Sequence, residues 1–226
     1  MAAHIPQILL TAILLSVMGS PLIAAEELLK EDFEAEILNP DVKISPKGAT
    51  SVEISEEKAQ AGKYALKFRD STDRSVPGYS PGSVFSFPLM SPGARMRISF
   101  DYFVEENTDK TYFLVDVGAK GDRNQDRLLR LIFSGAKLQA SKNRQNQGKE
   151  ISTELYPGGD WHHVVMEFTT ERSDAGFTVA VDDHPVGELP FWTEGGDSGA
   201  NYVSFSVDGY SDATLWIDNL LVERID

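Results

Sequence analysis

Along most of this chain apolar side chains recur at every second position, in short runs separated by Gly, Pro, Asn, Asp and Ser. The clearest run is Trp161 to Thr169, where Val164, Met166 and Phe168 fall on one side and His163, Val165 and Glu167 on the other. That period of two is what a strand with one buried face requires. Phe177, Val179 and Val181 repeat it, and Ser173-Asp174-Ala175-Gly176 between the two runs supplies turn residues, so the stretch predicts an antiparallel hairpin. Arg95 to Val104 is equally regular, with Met96, Ile98, Phe100, Tyr102 and Val104 opposite Arg97, Ser99, Asp101 and Phe103.

Weaker alternations predict strands at 32–36 (Phe33 and Ala35 inward), 51–55, 63–69 (Tyr64, Leu66 and Phe68 inward), 111–118, 127–133, 137–141, 150–155, 202–208 and 213–223. Residues 26–31 read as a charged lead, and 70–82, 142–149 and 194–201 as loops. Strands without intervening helices predict an antiparallel sandwich, with Phe100, Val164, Met166, Phe168, Val179 and Phe205 in one core.

Residues 1–25 have a different pattern: an apolar run from Ile8 to Val17 and a small-residue end at Ala24-Ala25. This predicts a secretory signal peptide, since Ser16, Gly19, Ser20 and Pro21 interrupt the run before it is long enough to span a bilayer. The expected mature chain, 26–226, is of the size of one all-β domain, secreted or periplasmic, with no membrane insertion after cleavage. With no cysteine, neither a disulfide framework nor a lipid-modified N-terminal Cys is available. The net charge of −14 opposes nucleic acid or an anionic membrane as partner.

The G-D-W-H-x-V strand at 159–164, followed by a strand ending V-D-x-x-x-V at 181–186, resembles the laminin-G-like branch of the concanavalin A-like lectin and glucanase jelly rolls. The A-Q-A-G-K-Y-A-L-K-F phrase at 59–68 and the closing I-D-N-L-L-V strand at 217–222 are similar to secreted carbohydrate-binding members of that superfamily. The resemblance implies an all-β, antiparallel two-sheet jelly-roll sandwich, and carbohydrate or a cell-surface polymer as partner. In such modules the I-D-N strand contributes to a structural calcium beside the first strand, which nominates Asp218 and Glu34 as metal ligands. The alternative for Asp218 is a hydrogen bond to a neighbouring loop.

Alternation places Arg97, Asp101, Asp116, Arg130, His163 and Glu167 opposite the core, with Ser204, Ser206 and Asp208 beside them. Guanidinium and carboxylate groups make paired hydrogen bonds to sugar hydroxyls, so this set is the candidate carbohydrate-binding face, with Trp192 or Tyr79 as a stacking ring at its rim, whereas Trp161 and Trp216 are expected in the core. Enzyme chemistry has weaker support. Asp32, Glu34 and Glu36 alternate like a glucanase strand but lie near the expected mature N-terminus instead of mid-chain. His162 and His163 are adjacent, so in a strand they face opposite ways and cannot share an ion. Three functions fit: a non-catalytic carbohydrate-binding protein, favoured by the absence of the superfamily's catalytic motifs; a hydrolase or lyase using Asp101, Asp116, His163 or Glu167; and an adhesion module without a small ligand.

Overall fold

The computed structural model describes residues 24–35, 42–44, 50–72, 82–105, 112–119, 126–134, 137–145, 149–152, 158–194, 198–207 and 212–226. Residues 1–23 of the expected signal peptide, with Tyr79, Asp208 and Glu36, therefore lie outside the described residues.

The strands are β1 (Glu26–Glu31), β2 (Lys43–Ile44), β3 (Ser51–Ser55), β4 (Ala65–Arg69), β5 (Gly82–Met90), β6 (Arg95–Val104), β7 (Tyr112–Gly118) and β8 (Arg127–Ser134). They continue with β9 (Lys137–Ala140), β10 (Lys149–Ser152), β11 (Trp161–Thr169), β12 (Phe177–Val181), β13 (His184–Leu189), β14 (Ala200–Val207) and β15 (Thr214–Arg224). They form two antiparallel sheets. One runs β13-β12-β11-β6-β15-β4-β3 with β1 also on β15; the other runs β10-β9-β8-β7-β14-β5-β2. No helix of the described residues is long and apolar enough to cross a membrane.

The inner faces meet in one apolar core. Met96, Ile98 and Phe100 on β6, with Val164 and Met166 on β11, are fully buried, as are Val115 on β7, Leu131 on β8 and Phe205 on β14 from the other sheet. Rings lock the layers: Phe100 meets Phe205 at 5.0 Å and Phe113 at 6.5 Å, and Phe68 meets Phe113 at 6.0 Å, all edge to face. These are the arrangements favoured by the ring quadrupole. All six residues expected to share a core do so.

The central hairpin also forms as expected, with Met166 opposite Val179. Gly176 in its turn has φ +73°, and a Cβ there would lie 2.2 Å from the Leu189 carbonyl oxygen, so both backbone and space call for glycine.

Three differences from expectation bear on function. The first strand is 26–31, not 32–36; its register along β15 ends at the pair Glu31 and Leu220, and the chain then turns. Phe33 is buried, but in a turn at φ +60°, edge-on to Phe85, while Ala35 is exposed. The strands β5 and β13 were not anticipated. The second follows a two-residue turn at Asp182-Asp183, with φ of +50° and +63°, a type I′ geometry that Asp tolerates. Trp161 and Trp216, expected in the core, pack with Phe103 and Ala65 in a separate cluster on the other side of their sheet.

Candidate functional site

The residues predicted to share one polar face are divided between the two outer faces of the sandwich. Arg97, Asp101, His163 and Glu167 belong to the eight-stranded sheet, Asp116 and Arg130 to the seven-stranded one. Alternation reports only that a side chain points away from the core. Both sheets have such a side, and the apolar layer lies between them.

On the eight-stranded sheet the outward residues of β6 pair across both neighbours. Arg97 donates to Glu167 at 2.7 Å and stands 3.7 Å from Glu223, with side chains 39% and 34% exposed for Arg97 and Glu167. Next along the strand, His163 Nδ1 lies 2.6 Å from Asp101 Oδ1, and Asn219 Nδ2 donates to Asp101 Oδ2 at 2.7 Å. A carboxylate partner favours the tautomer with its proton on Nδ1, donated to Asp101. His163 is exposed and His162 is buried against Asp182 and Tyr102, as opposite-facing neighbours must be.

Asp218 and Glu34 meet the same loop but not each other. Asp218 Oδ2 accepts the amides of Gln60 (2.9 Å) and Ala61 (3.2 Å), and its Oδ1 accepts that of Asn219 (2.7 Å). Glu34 Oε1 accepts the amides of Lys63 (2.8 Å) and Tyr64 (2.9 Å). Burial is the largest influence on the Asp218 carboxyl and pushes its pKa up, with Asp101 adding to the rise and the three amides opposing it. Calcium needs converging oxygens, whereas these oxygens face N–H donors, and no group of three or more His, Cys, Asp or Glu that could hold a metal exists among the described residues. Asp218 makes the loop hydrogen bonds that its alternative reading expects.

The seven-stranded sheet holds a tighter array. Register places Val84, Ser204, Asp116 and Arg130 in one row and Ser86, Tyr202, Gly118 and Arg127 in the next. Arg127 and Arg130 are three apart, so strict alternation would point them to opposite faces. A register shift between Val117 and Gly118 adds a residue to β8 and brings both to one side. Asp116 takes both guanidiniums: Arg130 Nε and Nη2 donate to its two oxygens at 2.7 Å each, and Arg127 Nε lies 2.8 Å from Oδ1. The side chains are 2% (Asp116), 6% (Arg127) and 20% (Arg130) exposed. Burial lowers the Arg127 pKa from its ordinary value, with Asp116 and Tyr202 opposing the shift.

Trp192 is buried, not at a rim as expected. Its ring lies 4.4 Å from the Arg127 guanidinium and 5.6 Å from that of Arg130, and its amide donates to the Leu128 carbonyl at 2.9 Å. Gly118 makes room for Tyr202, because a Cβ there would stand 2.6 Å from the tyrosine hydroxyl. The buried Ser204 Oγ has no hydrogen-bond partner among the described residues. Of the side chains brought together here, the sequence pattern singled out Asp116, Arg130 and Trp192 but not Arg127 or Tyr202. The R-L-L-R spacing was the available signal: it fits a single polar face only if the strand is bulged.

No protein-family model matches the chain, and no curated protein is similar to it. Solved structures do match. An endo-β-1,4-glucuronan lyase from the fungus Trichoderma reesei superposes with a TM-score of 0.61 at 12% identity, over 87% of this chain and 94% of that one. The cellulose-induced protein Cip1 gives 0.62 at 12% identity, over 86% and 96%. The carbohydrate esterase vb_24B_21 from Shiga toxin-encoding bacteriophage phi24B gives 0.62 at 14% identity, over 90% and 100%. At such identities the likeness is one of fold, and this chain is an all-β, antiparallel two-sheet sandwich of the jelly-roll class.

Proposed function

We propose that this protein is a carbohydrate-binding member of the concanavalin A-like jelly rolls, acting outside the cytoplasm, and that its ligand meets the outer face of the seven-stranded sheet at Arg130. The observation that carries this is the array of Asp116, Arg127, Arg130 and Trp192. A buried ion cluster is seldom the most stable filling for a sheet face, since apolar residues of similar volume do as well or better. Its effect is to hold the partly exposed Arg130 guanidinium in one orientation, fixed by two hydrogen bonds below and an aromatic ring alongside. A preorganised planar donor of this kind suits the hydroxyl and carboxyl groups of a glycan. The fold likeness to a glucuronan lyase, to Cip1 and to a carbohydrate esterase supports the ligand class.

Arg130→Ala is expected to abolish retention on insoluble or gel-embedded polysaccharide while the melting temperature stays within a few degrees of wild type. Unchanged retention would reject this face as the site. One observation favours a second, enzymatic reading: the Tyr202 hydroxyl belongs to the same array, with Arg127 near enough for their charges to interact. Release of unsaturated or reducing sugars, lost in Tyr202→Phe, would make the protein an enzyme. Glu167 and His163, also nominated for catalysis, are on the other sheet and engaged with Arg97 and Asp101.

A further inference from the structure

The outer face of the eight-stranded sheet ends in a feature that neither the core nor the proposed site uses. Trp161, Phe103, Trp216 and Lys67 form a cross-strand row over β11, β6, β15 and β4. Phe103 sits 5.6 Å from both indoles, tilted to one and edge-on to the other. Lys58 reaches over the row from the loop anchored by Asp218, with Nζ 4.3 Å from the centre of the Phe103 ring and 5.5 Å from that of Trp216. Beside it opens a depression of about 390 Å³, lined by Lys58, Phe103, Glu105 and Gly159.

Three features of this depression favour a ligand. Its volume is within the range of small-molecule sites, roughly 300–1,000 Å³. Its rim is fixed: the Gly159 amide donates to the Val104 carbonyl at 2.8 Å, and a Cβ on Gly158 would stand 2.7 Å from the Glu105 carbonyl oxygen, so the backbone passes too closely to shift freely. The buried indole Nε1 of Trp216 has no acceptor among the described residues. A cluster built for stability alone satisfies its buried donors, so this one is an exception that calls for a reason.

From this we infer that the depression is a second saccharide site, on the sheet opposite the first. A pyranose ring presents C–H groups on its faces and hydroxyls around its edge. Of the aromatic row, Phe103 and Trp216 are buried beneath Lys58, so the exposed edge at Trp161 is what the row offers to the former, and Lys58 and Glu105 offer a donor and an acceptor to the latter. The half-buried Trp161 supplies the accessible ring. The inference takes its ligand class from the function proposed above but none of its residues, so the two can fail separately.

The test is calorimetric titration of the full chain with cellohexaose, xylohexaose, laminarihexaose and a glucuronan hexamer, with tryptophan fluorescence followed in parallel. Two equivalents per chain are expected for at least one probe. Trp161→Ala and Lys58→Ala should each remove one equivalent or weaken it roughly tenfold, the scale of a lost stacking contact. Arg130→Ala should remove the other. Lys58→Ala serves if Trp161→Ala fails to fold. A single equivalent lost in Arg130→Ala and kept in Lys58→Ala overturns the second site and leaves the first. A single equivalent lost in Lys58→Ala and kept in Arg130→Ala supports the second site and overturns the first. No binding of any probe to wild type overturns both.

Discussion

The two outer faces of the sandwich are built from the same kinds of residue and behave differently. On the eight-stranded sheet, Arg97 and Glu167 pair across strands with more than a third of each side chain in water, where screening and side-chain entropy leave an ion pair worth about 0–1 kcal/mol. On the seven-stranded sheet, Asp116 and Arg130 also pair across strands, but Arg127 joins them and Trp192 lies against both guanidiniums, leaving Asp116 almost without solvent. The first pair can be lost with little consequence. From the second, Asp116 cannot be removed alone, because both guanidiniums depend on its carboxylate for what water no longer supplies. Surroundings, more than residue type, set what a polar face costs and what it can position.

The largest expected effect follows directly. Asp116→Ala leaves the buried Arg127 and the partly buried Arg130 without their carboxylate and should cost about 3–5 kcal/mol by urea unfolding. A loss below about 1 kcal/mol would show that the array is as solvated as the opposite face. Gly118→Ala should come next, at about 1–3 kcal/mol, because the new methyl meets the Tyr202 hydroxyl and the Asp126 carbonyl, each at 2.6 Å. It should also weaken polysaccharide retention, since Tyr202 would be displaced within the array. Retention equal to wild type would separate Tyr202 from the site.

Asp218 tests the eight-stranded face by pH. Its folded pKa is raised, so the folded chain binds this proton more tightly than the unfolded chain does. The group's contribution to stability is therefore fully present below the ordinary carboxyl value and declines as pH rises from there through the raised folded value. Asp218→Asn, neutral at every pH and still an acceptor for the loop amides, should flatten that part of the melting-temperature profile. A profile parallel to wild type would mean that Asp218 titrates normally. If calcium is bound in this region, excess chelator should lower the wild-type melting temperature; an unchanged curve together with no metal by elemental analysis would remove calcium. The smallest expected effect is that of Glu167→Ala, within about 0.5–1 kcal/mol and further reduced by salt. A loss near that of Asp116→Ala would end the contrast between the faces.

The alternation of Val164, Met166 and Phe168 against His163, Val165 and Glu167 was sufficient to give the strand, its hairpin partner and its buried side, because burying one face of a pleated strand permits one phase only. The absence of any helical spacing gave the class of fold, and adjacency alone separated His162 from His163. Other features depended on contacts distant in sequence. Phe33 is buried without being in a strand because Phe85 receives it, and Glu26–Glu31 is a strand because β15 offers an edge. Arg127 joins Arg130 because β8 is bulged against β7, and Asp218 faces amides because the loop at Gln60 and Ala61 folds back over it. A period of two marks the side turned from the core but not which of two sheets carries it, nor what lies above it. The sequence by itself therefore determined a sandwich and its interior, while only the tertiary structure divided the polar residues between its two outer faces and set the surroundings of each.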